Sequence, residues 1–199
     1  MDKLFHPLYN LDRYEIILAS GSPRRRELLA MLDIEFTVDT SHSIDETVPA
    51  GMDVEDIPSH LARSKGLAYP LAAGDNKLVI TADTIVVLDG IMMGKPKSLE
   101  EACDMLARLQ GKTQKVITGT SVRTSEREEV FKTESLVTFA ALDPREIAYY
   151  VEKYRPLDKA GAYGIQEWIG AAAIKEIKGS FYNVMGLPVQ RLYEVLKRF

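Results

Sequence analysis

The stretch from Leu78 to Leu88 constrains this chain more than any other. Leu78-Val79-Ile80-Thr81-Ala82 and Thr84-Ile85-Val86-Val87-Leu88 read as one long apolar strand rich in β-branched residues, interrupted only by Asp83. A carboxylate there is expensive to bury without a partner. Asp89-Gly90 is a two-residue hairpin turn of the strongest sequence type, and Ile91 to Gly94 is the return strand. Pairing Leu88 with Ile91 and counting back sets Thr84 opposite Lys95 and Asp83 opposite Pro96. Strict alternation then points Asp83 and Lys95 to opposite faces, whereas a bulge or a loss of pairing at Pro96 brings them together. Asp83 is therefore either half of a salt bridge at a strand end or part of a site.

The rest of the chain alternates between strand and helix. Glu15 to Ala19 is a short buried strand, and Ser20-Gly21-Ser22 turns it into a helix with Ser22 as N-cap, Pro23 as first residue and Leu28, Leu29 and Leu32 as buried stripe. Ile34 to Val38 reads as a second strand. A helix is expected from about Asp56 to Tyr69, ended by Pro70, and another after the capping-box residues Ser98 to Glu101, with Ala102, Leu106 and Leu109 inward and a stop at Gly111. Lys115 to Thr124 and Val130 to Ala140 form an antiparallel pair joined by Ser125 to Glu129. A helix begins at Asp143-Pro144, Ala171 to Ile177 is a late strand, and Leu187 to Phe199 is an amphipathic helix on Val189, Leu192, Val195, Leu196 and Phe199. No linker or repeat interrupts the 199 residues, so one mixed α/β domain over 1–199 is expected, with 1–14 as a loose leader and two lobes around a cleft.

Charge and cysteine content narrow the function. With 25 Lys and Arg against 29 Asp and Glu, the net charge of −4 disfavours stable nucleic-acid binding but admits a small anion. The single cysteine, Cys103, excludes an intramolecular disulfide and multi-thiolate zinc, and reads as a core residue. No segment has the length and apolarity of a signal peptide or membrane span, so a cytoplasmic protein with no membrane partner is expected. His6, His42 and His60 lack metal-ligand spacing, and Trp168 and Tyr163 are expected to pack rather than stack on a base.

Three clusters carry candidate chemistry. Ser20-Gly21-Ser22-Pro23-Arg24-Arg25-Arg26 combines hydroxyls, helix N–H groups and guanidinium forks, the chemistry of a phosphate site. Three positive charges at a helix N-terminus cost about 0.3–1 kcal/mol each unless an anion offsets them. The loop lacks the Gly-Lys-Ser/Thr ending of a P-loop. The second cluster is Thr81-Ala82-Asp83-Thr84. The third is Ile44-Asp45-Glu46, within an acidic run from Asp39 to Ala62, which with Asp83 and substrate phosphates can offer oxygen ligands to Mg²⁺ or Mn²⁺. Together they suggest metal-assisted phosphate-ester or anhydride chemistry.

Leu18-Ala19-Ser20-Gly21-Ser22-Pro23-Arg24-Arg25, Ala82-Asp83-Thr84, Gly94-Lys95-Pro96, the run Leu157 to Gln166, and Gly179-Ser180-Phe181 through Gly186-Leu187-Pro188 resemble the motifs of the Maf family, in matching order from Ile16 nearly to the C-terminus. The resemblance implies a nucleoside triphosphate pyrophosphatase that cleaves between the α- and β-phosphates. It also implies a mixed elongated sheet with flanking helices forming two lobes around a central cleft, as in inosine triphosphate pyrophosphatases, and often a homodimer. By resemblance Asp83 is the proton acceptor, and Arg24, Thr84 and Gln166 match substrate-selecting positions. Ser20, Ser22 and Arg25 line the phosphate site, Lys65 and Lys95 stabilise charge, Glu46 contacts the metal, and Asp158 and Lys159 complete the cleft. The Ala162-Tyr163-Gly164-Ile165-Gln166 version resembles the branch acting on dTTP and UTP, where the Gln amide can read the carbonyl and N3–H edge of uracil or thymine. Asp83 as base and Asp83 as metal ligand both stand as readings. Two departures are visible: Glu167-Trp168-Ile169-Gly170 replaces a shorter glycine-rich run, and the acidic loop is one residue longer before Ile44. Rival readings are a non-catalytic nucleotide sensor linked to cell division and a hydrolase of other phosphate esters.

Overall fold

The computed structural model describes residues 6–42, 44 and 46–199; Asp45 and residues 1–5 of the leader lie outside the described residues. In chain order the elements are β1 (Glu15–Leu18), α1 (Pro23–Ala30), β2 (Thr37–Val38), α2 (Ile57–Ala68), β3 (Lys77–Leu88), β4 (Ile91–Met93), α3 (Leu99–Leu109), β5 (Thr113–Arg123), β6 (Glu128–Phe139), α4 (Pro144–Tyr154), α5 (Trp168–Ala173), β7 (Ile174–Lys178), α6 (Phe181–Met185) and α7 (Val189–Leu196). Among the described residues, seven strands form one mixed sheet ordered β2-β1-β3-β5-β6-β7, with β4 also on β3.

β3 organises the molecule. One edge is antiparallel to β5 from Val79↔Arg123 to Val87↔Lys115, with Asp83 opposite Gly119. The other edge is shared. β1 lies parallel to it as far as Leu18↔Ile80, and β4 pairs with it from Val86↔Met93 to Leu88↔Ile91. Between those ladders the edge of β3 at 81–85 meets no strand among the described residues, and this gap contains Asp83. Alternation then separates the faces. Thr81 and Asp83 turn toward α2, where Thr81 Oγ1 donates to the Ala62 carbonyl at 2.6 Å. Ile80, Ala82 and Thr84 turn the other way.

Two apolar cores lie on either side of the gap. Leu18, Leu28, Leu29, Ile80, Val122, Leu192 and Leu196 fill the first. Val86, Leu88, Leu106, Phe139, Tyr150 and Ile169 fill the second. Two lobes around a cleft is thus the observed arrangement. The sequence pattern foresees α1 to α4, the hairpin register Leu88↔Ile91 and the buried stripe of α7.

Several expectations need correction. Counting the hairpin back to Asp83 fails because the β3–β4 ladder ends at Met93, two residues before Lys95. The strand expected over 34–38 is reduced to Thr37–Val38 at the sheet edge. Residues 171–173 are helical rather than extended: the alanine run, strong in helix propensity, closes α5, and β-branched Ile174 starts β7. Nor is the leader loose where it is described, since Leu8 and Leu11 are buried in the first core and Asn10 Nδ2 donates to the Leu196 carbonyl at 2.8 Å. Among the described residues no helix is long and apolar enough to cross a membrane.

Candidate active site in the sheet gap

The gap in β3 opens into a cleft of about 720 Å³, a size suited to a small-molecule ligand. The β1–α1 loop, the acidic loop, α2, the segment after β4 and the 158–166 loop all contribute to its walls.

Asp83 sits at its floor with 15% of its side chain exposed. Its partner is Lys65, not Lys95: Lys65 Nζ donates to Asp83 Oδ1 at 2.6 Å and lies 2.7 Å from Glu46 Oε1. One ammonium therefore holds two carboxylates, and its hydrogen bond is the main reason the Glu46 carboxyl lies below its ordinary range. The approach of α2 that makes this contact depends on Gly119, the residue opposite Asp83. A Cβ there would lie 2.2 Å from the carbonyl carbon and oxygen of Pro58 in the first turn of α2. Pro58 and Lys65 are seven residues apart, close to two helical turns, so close seating of the first turn carries Lys65 over the strand.

The basic loop divides its arginines. Ser22 caps α1, accepting from Arg25 N–H at 3.5 Å. Arg25 points inward as a brace. Its Nε donates to the Gly186 carbonyl at 2.9 Å, Nη1 to the Ala82 carbonyl at 2.7 Å and Nη2 to Thr84 Oγ1 at 3.1 Å. It thereby satisfies a carbonyl of the unpaired β3 edge and ties α1 to β3 and to the segment that follows α6. Burial pushes its guanidinium pKa below the ordinary value, while the charges of Asp83 and Glu46 oppose that shift. Arg25→Lys keeps the charge but loses the fork, so it is expected to destabilise the fold by about 1–3 kcal/mol. A shift of the urea midpoint at constant slope measures this; an unchanged midpoint refutes the brace. Thr84, besides accepting from Arg25, shares a 3.0 Å hydrogen bond with Thr118.

Arg24 instead faces the mouth. Its Nη1 donates to Asp158 Oδ2 at 2.8 Å, and Lys159 Nζ donates to Asp158 Oδ1 at 2.7 Å and lies 3.1 Å from Glu167 Oε1. Partial burial raises the Asp158 pKa, but the hydrogen bonds from Lys159 and Arg24 outweigh it and bring the carboxyl down to about 2. A carboxyl so lowered stabilises the folded chain above its unfolded pKa of about 3.9, and that contribution fades as pH falls through about 2. Titration of the Asp158 carboxyl carbon by NMR is expected to show a midpoint near 2, moving up in Arg24→Ala. A midpoint in the ordinary aspartate range speaks against the pairing.

Of Arg24, Arg25, Lys65, Lys95 and Lys159, only Lys95 has no side-chain ion pair or hydrogen bond among the described residues; it lies exposed on the cleft wall. The Gln166 side chain is likewise exposed there. Ser20 Oγ lies 3.3 Å from Ser22 N–H and 3.4 Å from Arg25 Nη1, accepting from both, which leaves its own O–H to donate outward. The expected site residues are thus gathered around one cleft, Thr84 and Arg25 as inward-facing members of its wall.

The other candidates behave as packing residues. Tyr163 is buried edge-on to Phe139, Trp168 sits edge-on to Tyr149, and Cys103 packs partly buried against the second core. The His6 and His60 rings meet backbone carbonyls of Leu32 and Thr47, while His42 lies edge-on to Tyr69.

The family described as Maf-like protein matches residues 15–199, the whole span that builds the sheet and the cleft. This chain belongs to the Maf family. It is 53% identical over 194 residues to a dTTP/UTP pyrophosphatase of Porphyromonas gingivalis, covering 96% of this chain and 98% of that one. It is 50% identical over 191 residues to one of Bacteroides thetaiotaomicron, covering 96% and 99%. A solved structure, the Staphylococcus aureus Ham1 protein, shares 16% identity at a TM-score of 0.44 over 63% of this chain and 72% of that one, a likeness too distant to bear on activity.

Within this Maf chain, sequence reasoning missed Gly119, Tyr150 and Glu167 as residues that shape the cleft. Gly119 carries a faint signal, a lone glycine inside a Val/Thr/Ile run, which often marks close backbone approach. Glu167 is marked only as the start of the segment that departs from the shorter glycine-rich run, with no role attached, and Tyr150 carries no signal, because it lies in an ordinary amphipathic context.

Proposed function

We propose that this protein hydrolyses the α–β phosphoanhydride of dTTP and UTP, giving the nucleoside monophosphate and pyrophosphate. The observation that carries this reading is the gathering, in one cleft at a gap in the sheet, of the basic β1–α1 loop, the Asp83–Lys65–Glu46 cluster and the Gln166 turn. The relatives named dTTP/UTP pyrophosphatase support the substrate class.

In this reading Lys95, Arg24 and the outward hydroxyl of Ser20 bind the phosphates, with Ser22 at the same helix N-terminus. Lys159 and Asp158 position Arg24 at the mouth, and Arg25 and Thr84 keep the wall rigid. Gln166 offers a donor and an acceptor to the pyrimidine edge. Asp83 accepts the proton of the attacking water or helps hold a metal ion, and Lys65 supplies charge to the developing phosphoryl oxygens.

The donor set fits a hard divalent cation such as Mg²⁺ or Mn²⁺. Asp83 and Glu46 each give Lys65 one oxygen and keep a second, while no group of three or more potential ligands is placed to hold an ion among the described residues. Two carboxylates completed by phosphate oxygens and water is the usual Mg²⁺ arrangement. Because most cations of the cleft are already paired with carboxylates, a triphosphate needs further positive charge. When bound, the metal supplies that charge and polarises the phosphoryl oxygens. The lone cysteine and a nucleotide substrate suit a cytoplasmic setting, and a homodimer is the assembly to look for.

The test is a panel of ribo- and deoxynucleoside triphosphates with Mg²⁺ or Mn²⁺ and identification of products. Pyrophosphate with dTMP or UMP is expected. Orthophosphate as the first product, or binding without turnover, overturns the reading, the second in favour of a nucleotide sensor.

A further inference from the structure

Gln166 is presented by a turn whose two ends are held by one hydroxyl. Gly164-Ile165-Gln166-Glu167 closes by a hydrogen bond from Glu167 N–H to the Gly164 carbonyl at 3.0 Å, which places Gln166 third in the turn with its side chain exposed to the cleft. The hydroxyl of Tyr150, from α4, donates to Glu167 Oε2 and accepts from Gly164 N–H, the latter at 3.0 Å. That single oxygen thus touches the first and last residues of the turn. Tyr150 is fully buried and stacks on Tyr154 with ring centroids 5.0 Å apart. The turn is also pinned from below by Ile165 and Ile169, both in the second core.

The Glu167 carboxylate is 17% exposed and shared: Oε2 takes Tyr150, and Oε1 faces Lys159, which continues through Asp158 to Arg24. It lies tight against the turn, because a Cβ on Gly164 would come within 2.7 Å of its carboxyl carbon. The loop leading into the turn has left-handed backbone at Gly161 and at Ala162, a conformation that alanine rarely adopts and that surrounding contacts must enforce. Such an arrangement has a purpose if Gln166 must be held still. A primary amide carries both donor and acceptor and satisfies almost any base edge when free to move. It discriminates only when its supporting groups fix where each atom lies.

We propose that Tyr150 and Glu167 are positioning residues that hold the Gln166 turn against the cleft wall and thereby set the discrimination between pyrimidine and purine nucleoside triphosphates. The inference rests on the reading of Gln166 as the base-contacting residue. Neither Tyr150 nor Glu167 touches the reacting phosphates. They act through the turn, and through Lys159 they also couple it to the phosphate side of the cleft.

The test compares kcat/KM for dTTP and dATP in the wild type, Gln166→Ala, Tyr150→Phe, Glu167→Gln and the Gln166→Ala/Tyr150→Phe double variant, with a thermal unfolding curve for each. Turnover of dTTP by the wild type is established first, because its absence refutes the activity itself. Gln166→Ala and Tyr150→Phe are each expected to lower the dTTP-to-dATP ratio about tenfold, a misplacement effect. The double variant is expected to fall no further than Gln166→Ala alone, since both remove one function. Glu167→Gln keeps an acceptor oxygen for Tyr150 but turns its NH2 group toward Lys159 and so loses that ion pair, leaving the contact between Tyr150 and the turn in place; its ratio is expected to fall less, about threefold. If Tyr150→Phe does not fold, Glu167→Gln carries the comparison, and an unchanged ratio there overturns the proposal. A ratio that moves in Gln166→Ala but not in Tyr150→Phe, or equal losses on both nucleotides in Tyr150→Phe, also overturns the clamp while leaving the base contact standing. An unchanged ratio in Gln166→Ala refutes the base contact on which the proposal rests.

Discussion

Asp83→Asn is expected to lower kcat by about 10²–10⁴-fold, the range associated with loss of a positioned general base, with the fold intact. Asn matches Asp in size and keeps an oxygen that accepts from Lys65, so the 2.6 Å contact survives as a neutral-acceptor hydrogen bond. What disappears is the negative charge at the floor of the cleft. Asp83 is only 15% exposed and faces α2 rather than the apolar cores, so the melting temperature should shift by a few degrees at most. Steady-state hydrolysis of dTTP followed by pyrophosphate release, beside a thermal melt, checks both halves. Turnover within threefold of wild type removes Asp83 from the chemistry whether as base or as metal ligand. If the loss is confirmed, its dependence on metal separates the two roles: a loss partly restored by raising Mn²⁺ favours the ligand, and one independent of Mn²⁺ favours the base.

Lys65→Met should damage both the chemistry and the stability of the site. It leaves Asp83 and Glu46 side by side without the ammonium that both now contact at 2.6 and 2.7 Å. It also removes one of the positive charges that line the cleft. A drop in kcat/KM of about 10²–10³-fold is expected, comparable to deletion of one transition-state donor. The fold should lose about 1–2 kcal/mol, less than a deeply buried pair costs, because Glu46 is 58% exposed. The pH dependence distinguishes this from a packing defect. In the wild type the Glu46 carboxyl is lowered chiefly by its hydrogen bond with Lys65. That stabilisation is present above the ordinary glutamate pKa and fades as the pH falls through the lowered one. The gap in stability between wild type and Lys65→Met is therefore expected to be widest near neutrality and to narrow on acidification below about pH 4, near the ordinary glutamate pKa. A gap that does not change with pH means that Lys65 acts only through its aliphatic stem.

How much of this was visible beforehand differs from element to element. The β1–α1 unit is legible because every feature is local: an apolar run, a turn, a Ser cap, a proline at the first helical position and two adjacent leucines that both reach the core. The β3–β4 hairpin register is legible for the same reason, since Asp89-Gly90 dictates a two-residue turn. Its extension to Lys95 is not, because the end of a ladder depends on what competes for the strand edge. β1 takes Ile80, Arg25 takes the Ala82 carbonyl, and the edge at Asp83 remains open. Local reasoning along the hairpin leaves the partner of Asp83 open, and the contact comes instead from Lys65 on a helix lying across the sheet.

Local chain chemistry settles which groups are present and most of the geometry that carries them: the basic helix entry, the lone carboxylate in an apolar strand, the tight hairpin and the spacing of the helices. These follow from nearest-neighbour sterics, capping and periodicity, which act over a few residues. Which charges neutralise one another, that Arg25 ties α1 to β3 while Arg24 faces outward, and that one tyrosine hydroxyl closes the turn bearing Gln166 all come from long-range packing. Those pairings join residues far apart in the chain. Their choice depends on the relative seating of whole elements, above all on the glycine at position 119 that lets α2 settle against β5 and carry Lys65 to Asp83.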